Sequence, residues 1–255
     1  MPVTPGLALR TIAPNISPSA ALALAADVSA GIGTHELPYL PKTLANELDL
    51  PCCVSCAIGA AMETMSASTT ALSPMFHYHV TRFDNLGADT NGFLLLEDGL
   101  ATATNNGVCR QDLHNVLFTD AGARVTPSPE AVADAVSRVL GRVNLRVRYR
   151  EFDGPSRAAW VREQIRLNQP VLIAFRLPVP YPNGFLDGDN SWTDPNAFAL
   201  PGIGHCVLAF GYDDVKRAVH IQDCQGKTRF DQGCWWMGYR VLDSNVVQDA
   251  YCLVL

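Results

Sequence analysis

The chain has 255 residues, 48% of them hydrophobic, 17% charged and 8% aromatic, with a formal net charge of −6. Charge this far below the roughly 25% of an average soluble protein excludes overall disorder, and the length supports a sizeable core. No apolar run approaches the roughly 18 residues of a membrane-spanning helix, and the scattered basic residues form no phosphate-binding patch, so neither a membrane nor a nucleic acid is an expected partner.

Residues 1–36, rich in Ala, Pro, Ser and Gly, read as an irregular lead-in segment expected to wrap the body. They show no basic region joined to an apolar stretch, so no secretory signal is read, and a cytoplasmic location with reduced thiols is expected. "SCAIGAAMETMSA" is small, apolar and free of proline, a buried-helix composition with Ser55 as its expected N-cap. "SPMFHYHVTRFD" and "TNGFLLLEDGLATATNNG" follow as two further helices, the second stopping near Asn106-Gly107. "SPEAVADAVSRVLGR" carries Val132, Val136, Val139 and Leu140 at helical spacing, and "SRAAWVREQIRLN" is the next expected helix.

After Gln169 the pattern changes. "PVLIAFRLPV", "HCVLAFGYDD", "RAVHIQDCQ" and "DAYCLVL" are short β-rich runs broken by turn residues. Between the first two lie about twenty-five residues of loop, "PYPNGFLDGDNSWTDPNAFALPGIG", a length usually tied to function or disorder. The expected organisation is α+β: a mainly helical lobe over 37–145 and a mainly antiparallel β lobe over 146–255.

Eight cysteines stand out: Cys52, Cys53, Cys56, Cys109, Cys206, Cys224, Cys234 and Cys252. Cys53-Val-Ser-Cys56 has zinc-ligand spacing, but the sequence holds no second CxxC, HxxxH or CxxH pair to complete a site. His77-Tyr-His79 lies in an apolar segment and is read as packing, so no metal or other cofactor is expected. Cys56, following a turn and opening a helix, would have its thiolate stabilised by the helix dipole and free N–H groups. The strand from Gly204-His205 turns at "YDDVKR" and returns as "AVHIQDC". A hairpin centred near Asp214-Val215 sets His205 opposite Cys224, one position from Asp223. An imidazole oriented by a carboxylate is the base half of a nucleophilic site, with Cys56 as the nucleophilic half.

These segments resemble the papain-like cysteine peptidases, in particular compact bacterial members. "VSCAIGAAME" is similar to the family's Gly-Ser-Cys-Trp/Thr-Ala-Phe-Ala, "ALSPMFHYH" to its Leu-Ser-Pro-x-Phe-Leu-Tyr, and "GLATATNNGVC" to the helix ending Gly-Val-Cys. "GIGHCVLAFGYDD" is close to Gly-Gly-His-Ala-Val-Leu-x-Val-Gly-Tyr-Asp-Asp, and "VHIQDCQG…FDQGCWWMGYRVL…DAYCLVL" tracks the closing strands. The resemblance covers roughly residues 37–255. It implies a helical left lobe and a β-barrel-like right lobe with the site in the cleft between them. It also implies acyl transfer through a thioester on Cys56, with His205 as base and Asp223 as orienter.

The departures are specific. The family's orienting Asn is Asp223 here, and the Trp that shields it is Gln225. The position six before the nucleophile, the family's oxyanion Gln, is Leu50; allowing for about four extra residues moves it to Asn46, the candidate oxyanion donor alongside the Cys56 backbone N–H. Trp235 and Trp236 are read as a wall beside the core, and Cys52 and Cys206 as packing. The expected activity is a narrow-specificity peptidase or amide hydrolase acting on a peptide, amide or thioester. The alternatives are an acyltransferase or cyclase, with an acyl carrier protein as a further partner, and a catalytically weak binding module.

Overall fold

A computed structural model describes residues 7–8, 33–38, 45–47, 50–66, 70–138, 146–151, 157–178, 181, 184–195 and 203–254. Of the lead-in, strands β1 (Leu7–Ala8) and β2 (Thr34–Glu36) fall within these residues, and both pair antiparallel with β6 (Ile203–Asp213). The first helix, α1 (Cys53–Met65), starts earlier than Ser55 suggests. Cys52 is its N-cap, without a side-chain cap, and Ser55 lies inside the first turn. Its small residues let it bury on nearly every side: residues 53–64 are all buried.

Helix α2 (Pro74–His79) opens on Ser73, whose side chain accepts from the Phe76 N–H, with proline in the first turn. It runs on as a π-helical turn over Val80–Asn85. The third helix, α3 (Leu96–Asn105), begins later than its apolar lead "FLL" suggests and ends before Gly107, whose φ of 75° closes the segment. Helix α3 approaches α1 closely at Gly99, where an added Cβ would lie 2.7 Å from Val54 Cγ1 and 2.9 Å from Ile58 Cδ1. The short α4 (Asp120–Ala123) precedes α5 (Pro129–Arg138).

On α5 the structure overturns the expected apolar stripe. Val132 and Val136 are exposed, while Ala131 and Ala135 are buried against Phe76, Val80 and Cys109. The alanines sit on the same face at helical spacing and allow a closer approach than the valines would. Val139 and Leu140 lie outside the described residues.

Strand β3 (Arg146–Glu151), which no sequence signal marked, pairs with β9 (Val247–Val254). Helix α6 (Arg157–Arg166) is followed by β4 (Val171–Arg176), buried from Val171 to Phe175 between β6 and β9. Then come β5 (Ser191–Trp192), β6, β7 (Ala218–Gln222), β8 (Cys234–Gly238), the single turn α7 (Tyr239–Leu242) and β9. The sheet is an open path in the order β3-β9-β4-β6-β7-β8-β5, antiparallel except for the β5–β8 pair. The β6–β7 hairpin pairs Asp213 with Ala218 and, past an irregularity between Ala209 and Gly211, Leu208 with Gln222. That register is within two residues of the expected one. Helix α1 and strands β4 and β6 share one core, with Cys53, Ile58, Ile173 and Val207 all buried in it. The architecture is α+β, helices first and an antiparallel-rich sheet after.

Candidate active site

Two chain segments deliver the site. Helix α1 presents Cys56 from its first turn, and β6 presents His205 as its third residue, where Phe175 on β4 pairs with it in the ladder. Cys56 is 5% exposed and His205 is fully buried. Asp223 follows the end of β7 and reaches back across the hairpin, so that His205 Nε2 lies 3.0 Å from Asp223 Oδ1.

Asp223 is held from four sides. Beside His205, it accepts from Trp235 Nε1–H at 2.8 Å, from the Cys224 backbone N–H at 2.7 Å, and from the Tyr181 hydroxyl at 2.9 and 3.0 Å to its two oxygens. The Tyr181 oxygen is also 2.9 Å from His205 Nε2. These contacts are mutually consistent when Nε2 carries the proton, Asp223 is ionised and Tyr181 donates to it. Burial opposes the Asp223 charge, but the His205 charge and these donors override it and hold the carboxyl below its usual value. Burial and the Asp223 charge push the Tyr181 phenol well above its ordinary value, so it stays a donor.

Around this group stand Phe175, Phe185, Trp192, Phe230 and Trp235, with Phe175 edge-on to the His205 ring at 5.7 Å. Tyr181 and Phe185 come from the long loop whose length was its only signal. The His–Asp pair beside them is buried, His205 at 0% and Asp223 at 3% exposed. Gln225 is occupied elsewhere: its Nε2 donates to Glu47 Oε1 at 2.7 Å.

The other face of His205 is open. Its Nδ1 is buried without a hydrogen-bond partner. Glu47 Oε1 lies 3.8 Å from it. The thiol of Cys56 therefore makes no hydrogen bond to the imidazole in this state; apo sites of this kind often tighten only with substrate bound. Cys56 Sγ lies 3.8 Å from Cys52 Sγ, and the Cys224 thiol is a second sulfur neighbour. Burial alone would push the Cys56 thiol up, but the Cys224 and Cys52 thiols and the His205 charge outweigh it and bring it down to about 5. Burial pushes Cys52, Cys53, Cys109, Cys206, Cys224 and Cys234 up. All eight cysteines are free.

The expected oxyanion group divides between neighbours. Asn46 forms an isolated antiparallel bridge with Gln225, is exposed, and lies over Gly226, whose φ is +80° and whose added Cβ would meet the Asn46 side chain at 3.1 Å. Glu47 faces the opposite way, as alternation along an extended segment requires, and is completely buried. Its Oε2 has no partner. Burial, then the Cys56 and Asp223 charges, push its carboxyl well above the usual value. The Cys56 backbone N–H is committed to Cys52 O at 3.1 Å, because helix α1 starts three residues before it. Beside Cys56, a cavity of about 10 Å³ lined by Ala45, Cys206, Asp223 and Cys224 has room for about one water-sized occupant.

Glu47, Tyr181, Cys224 and Trp235 are the site residues that sequence reasoning did not assign. His77 and His79, weighed as ligands, are structural. His77 bridges Ser55 Oγ and Gly99 O at 2.9 Å each, and His79 Nδ1 donates to Ala123 O at 2.9 Å.

No protein-family profile matches the sequence, and no curated protein matches it by sequence. Solved structures do. Xylellain, a cysteine protease from Xylella fastidiosa, superposes with a TM-score of 0.73 at 17% identity, over 100% of this chain and 98% of its own. The fold is that of the papain-like cysteine proteases. Digestive procathepsin L 3 of Tenebrio molitor shares it with a TM-score of 0.66 at 12% identity, over 98% of this chain and 76% of its own. The Carica candamarcensis cysteine protease CMS1MS2, solved in complex with E-64, does so at 0.57 and 14% identity, over 87% of this chain and 97% of its own. Among the described residues no helix is long and apolar enough to cross a membrane.

Proposed function

We propose that this chain is a cysteine-nucleophile hydrolase that cleaves a peptide or amide through an acyl-thioester on Cys56. The site lies between the helical segment over 37–145 and the β segment over 146–255. The observation that carries the reading is the asymmetry of His205. Nε2 is engaged by Asp223 and Tyr181, whereas Nδ1 is buried without a hydrogen-bond partner, near a thiol whose proton is held loosely.

In the reaction, the Cys56 sulfur, a thiolate whose proton has already passed to His205 Nδ1, bonds to the carbonyl carbon. Asp223 holds the imidazolium, and its negative charge stabilises that cation more than a neutral amide would. Collapse of the tetrahedral adduct breaks the C–N bond, and the Nδ1 proton leaves with the amine. His205 then takes a proton from water, whose oxygen attacks the thioester and releases the acid and Cys56. Asn46, on the solvent side of its bridge with Gln225, is the proposed amide donor to the oxyanion; its loss would slow acylation about 10²–10³-fold.

Incubation with E-64 or iodoacetamide, followed by mass-spectrometric mapping, tests the reading. Adduct at Cys56 that disappears in His205→Ala supports it, and equal slow labelling of all the cysteines refutes it. Release of a trapped acyl group only by an added amine, not by water, would replace the hydrolase with an acyltransferase.

A further inference from the structure

One ring nitrogen of His205, a carboxylate oxygen of Glu47 and Sγ of Cys224 lie within 4.8 Å of one another, all buried. Ligand atoms around tetrahedral zinc, with bonds of about 2.0–2.3 Å, stand about 3.3–3.8 Å apart. The cluster is thus a small contraction away from a coordination sphere. The Cys224 thiol lies 3.9 Å from His205 Nε2 and Glu47 Oε1 lies 3.8 Å from Nδ1. In these residues His205 Nδ1 and Glu47 Oε2 are buried with no partner, a state that usually costs free energy unless something satisfies them. On the sulfur side of the cluster, a cavity lined by Cys56 and Cys224 admits an occupant the size of one water molecule. On the far side of the imidazole, Nε2 lies 3.0 Å from Asp223 Oδ1, the carboxylate–histidine arrangement that fixes a metal-ligating ring.

We propose that Glu47, His205 and Cys224, with Cys56 as fourth ligand, form a zinc-binding site that holds the nucleophile and its base in a reversibly inactive state. Two sulfurs, one imidazole and one carboxylate suit zinc; magnesium and calcium prefer all-oxygen shells. Cys56 completes the set because its thiol neighbours that of Cys224. Binding forms two Zn–S bonds, one Zn–N bond and one Zn–O bond and displaces to solvent whatever protons Cys56, Cys224 and Glu47 hold, so no oxidant or reductant is involved. Chelation frees the thiol and Nδ1 together. The inference goes beyond the hydrolase reading and does not depend on it, since the ligands bind zinc whether or not Cys56 attacks a carbonyl.

The test uses the full chain, untagged, reduced with a non-thiol phosphine and stripped with chelator. Zinc titrated by calorimetry is expected to bind at one equivalent. Cobalt in its place is expected to give tetrahedral ligand-field bands and a sulfur-to-cobalt charge-transfer band that weakens in Cys224→Ser. Glu47→Gln and Cys224→Ser should each lose more affinity than the roughly 10–100-fold typical of an outer-shell change, while Cys234→Ser, outside the cluster, binds as the parent does. Circular dichroism establishes that each variant is folded. In the unaltered chain, zinc should block iodoacetamide labelling of Cys56 and chelator should restore it. Absence of stoichiometric binding, unchanged affinity in both ligand variants, or Cys56 labelling indifferent to zinc would each overturn the site. Slow Cys56 labelling in chelator with zinc binding intact would instead count against the hydrolase alone.

Discussion

The Tyr181 hydroxyl donates to Asp223 Oδ2 at 2.9 Å and stands 2.9 Å from His205 Nε2, so one loop residue fastens both members of the proposed base–orienter pair. The Asp223 carboxylate is thereby stabilised by three neutral donors, Tyr181, Trp235 Nε1–H and the Cys224 N–H, in addition to the imidazole.

Tyr181→Phe removes one of those donors and leaves the ring packing against Phe185 and Phe230 in place. A hydrogen bond to a charged group is worth about 1.5–3 kcal/mol, so urea unfolding should show a loss of that size. Cys56 alkylation should slow less than in His205→Ala, because Asp223 keeps its other donors.

His77 predicts how stability depends on pH. Burial brings its pKa down to about 4, against the carbonyl of Gly99, which favours the charged ring. The ordinary value is about 6.5. Below that pH the unfolded chain gains a proton that the folded chain refuses, so stability falls as pH drops from about 6.5 to about 4. At about 1.4 kcal/mol per pH unit, roughly 3 kcal/mol is at stake. Unfolding free energies measured across that window should carry this slope, and His77→Gln should flatten it.

Gly99→Ala sets two effects against each other. Alanine gains up to about 1 kcal/mol of helix propensity over glycine. Its Cβ would lie 2.7 Å from Val54 Cγ1, on a stiff β-branched side chain of a helix that is itself buried, and overpacking of this kind costs about 1–3 kcal/mol. The clash wins, and chemical denaturation should show a net loss of about 1 kcal/mol or more.

The proximity of His205 and Asp223 was legible because a hairpin's register is set by its turn, and the error of one or two residues was too small to part them. Four of the helices between Ser73 and Arg166 were legible from caps and apolar runs, but the single turn α4 and the core-facing side of α5 were not. Composition marks valine as the buried residue, whereas close packing on Phe76 selected Ala131 and Ala135. Strand β3, "RVRYRE", alternates Arg with other residues and carries too little apolar signal to be marked. Glu47 could have been found only by placing Asn46 on an extended segment and letting alternation turn its neighbour inward. Tyr181 had no local signal, because its partners are 24 and 42 residues away along the chain.

The most direct test of the account is the rate of iodoacetamide labelling at Cys56 as a function of pH, in chelator, with adducts mapped by mass spectrometry. A thiol held at about 5 is already thiolate at pH 6, so labelling at Cys56 should rise through pH 5, stay flat to pH 8 and lose its lead over the other cysteines in His205→Ala. A Cys56 rate that climbs only near the ordinary thiol value of about 8.5, indistinguishable from the remaining cysteines, would contradict it.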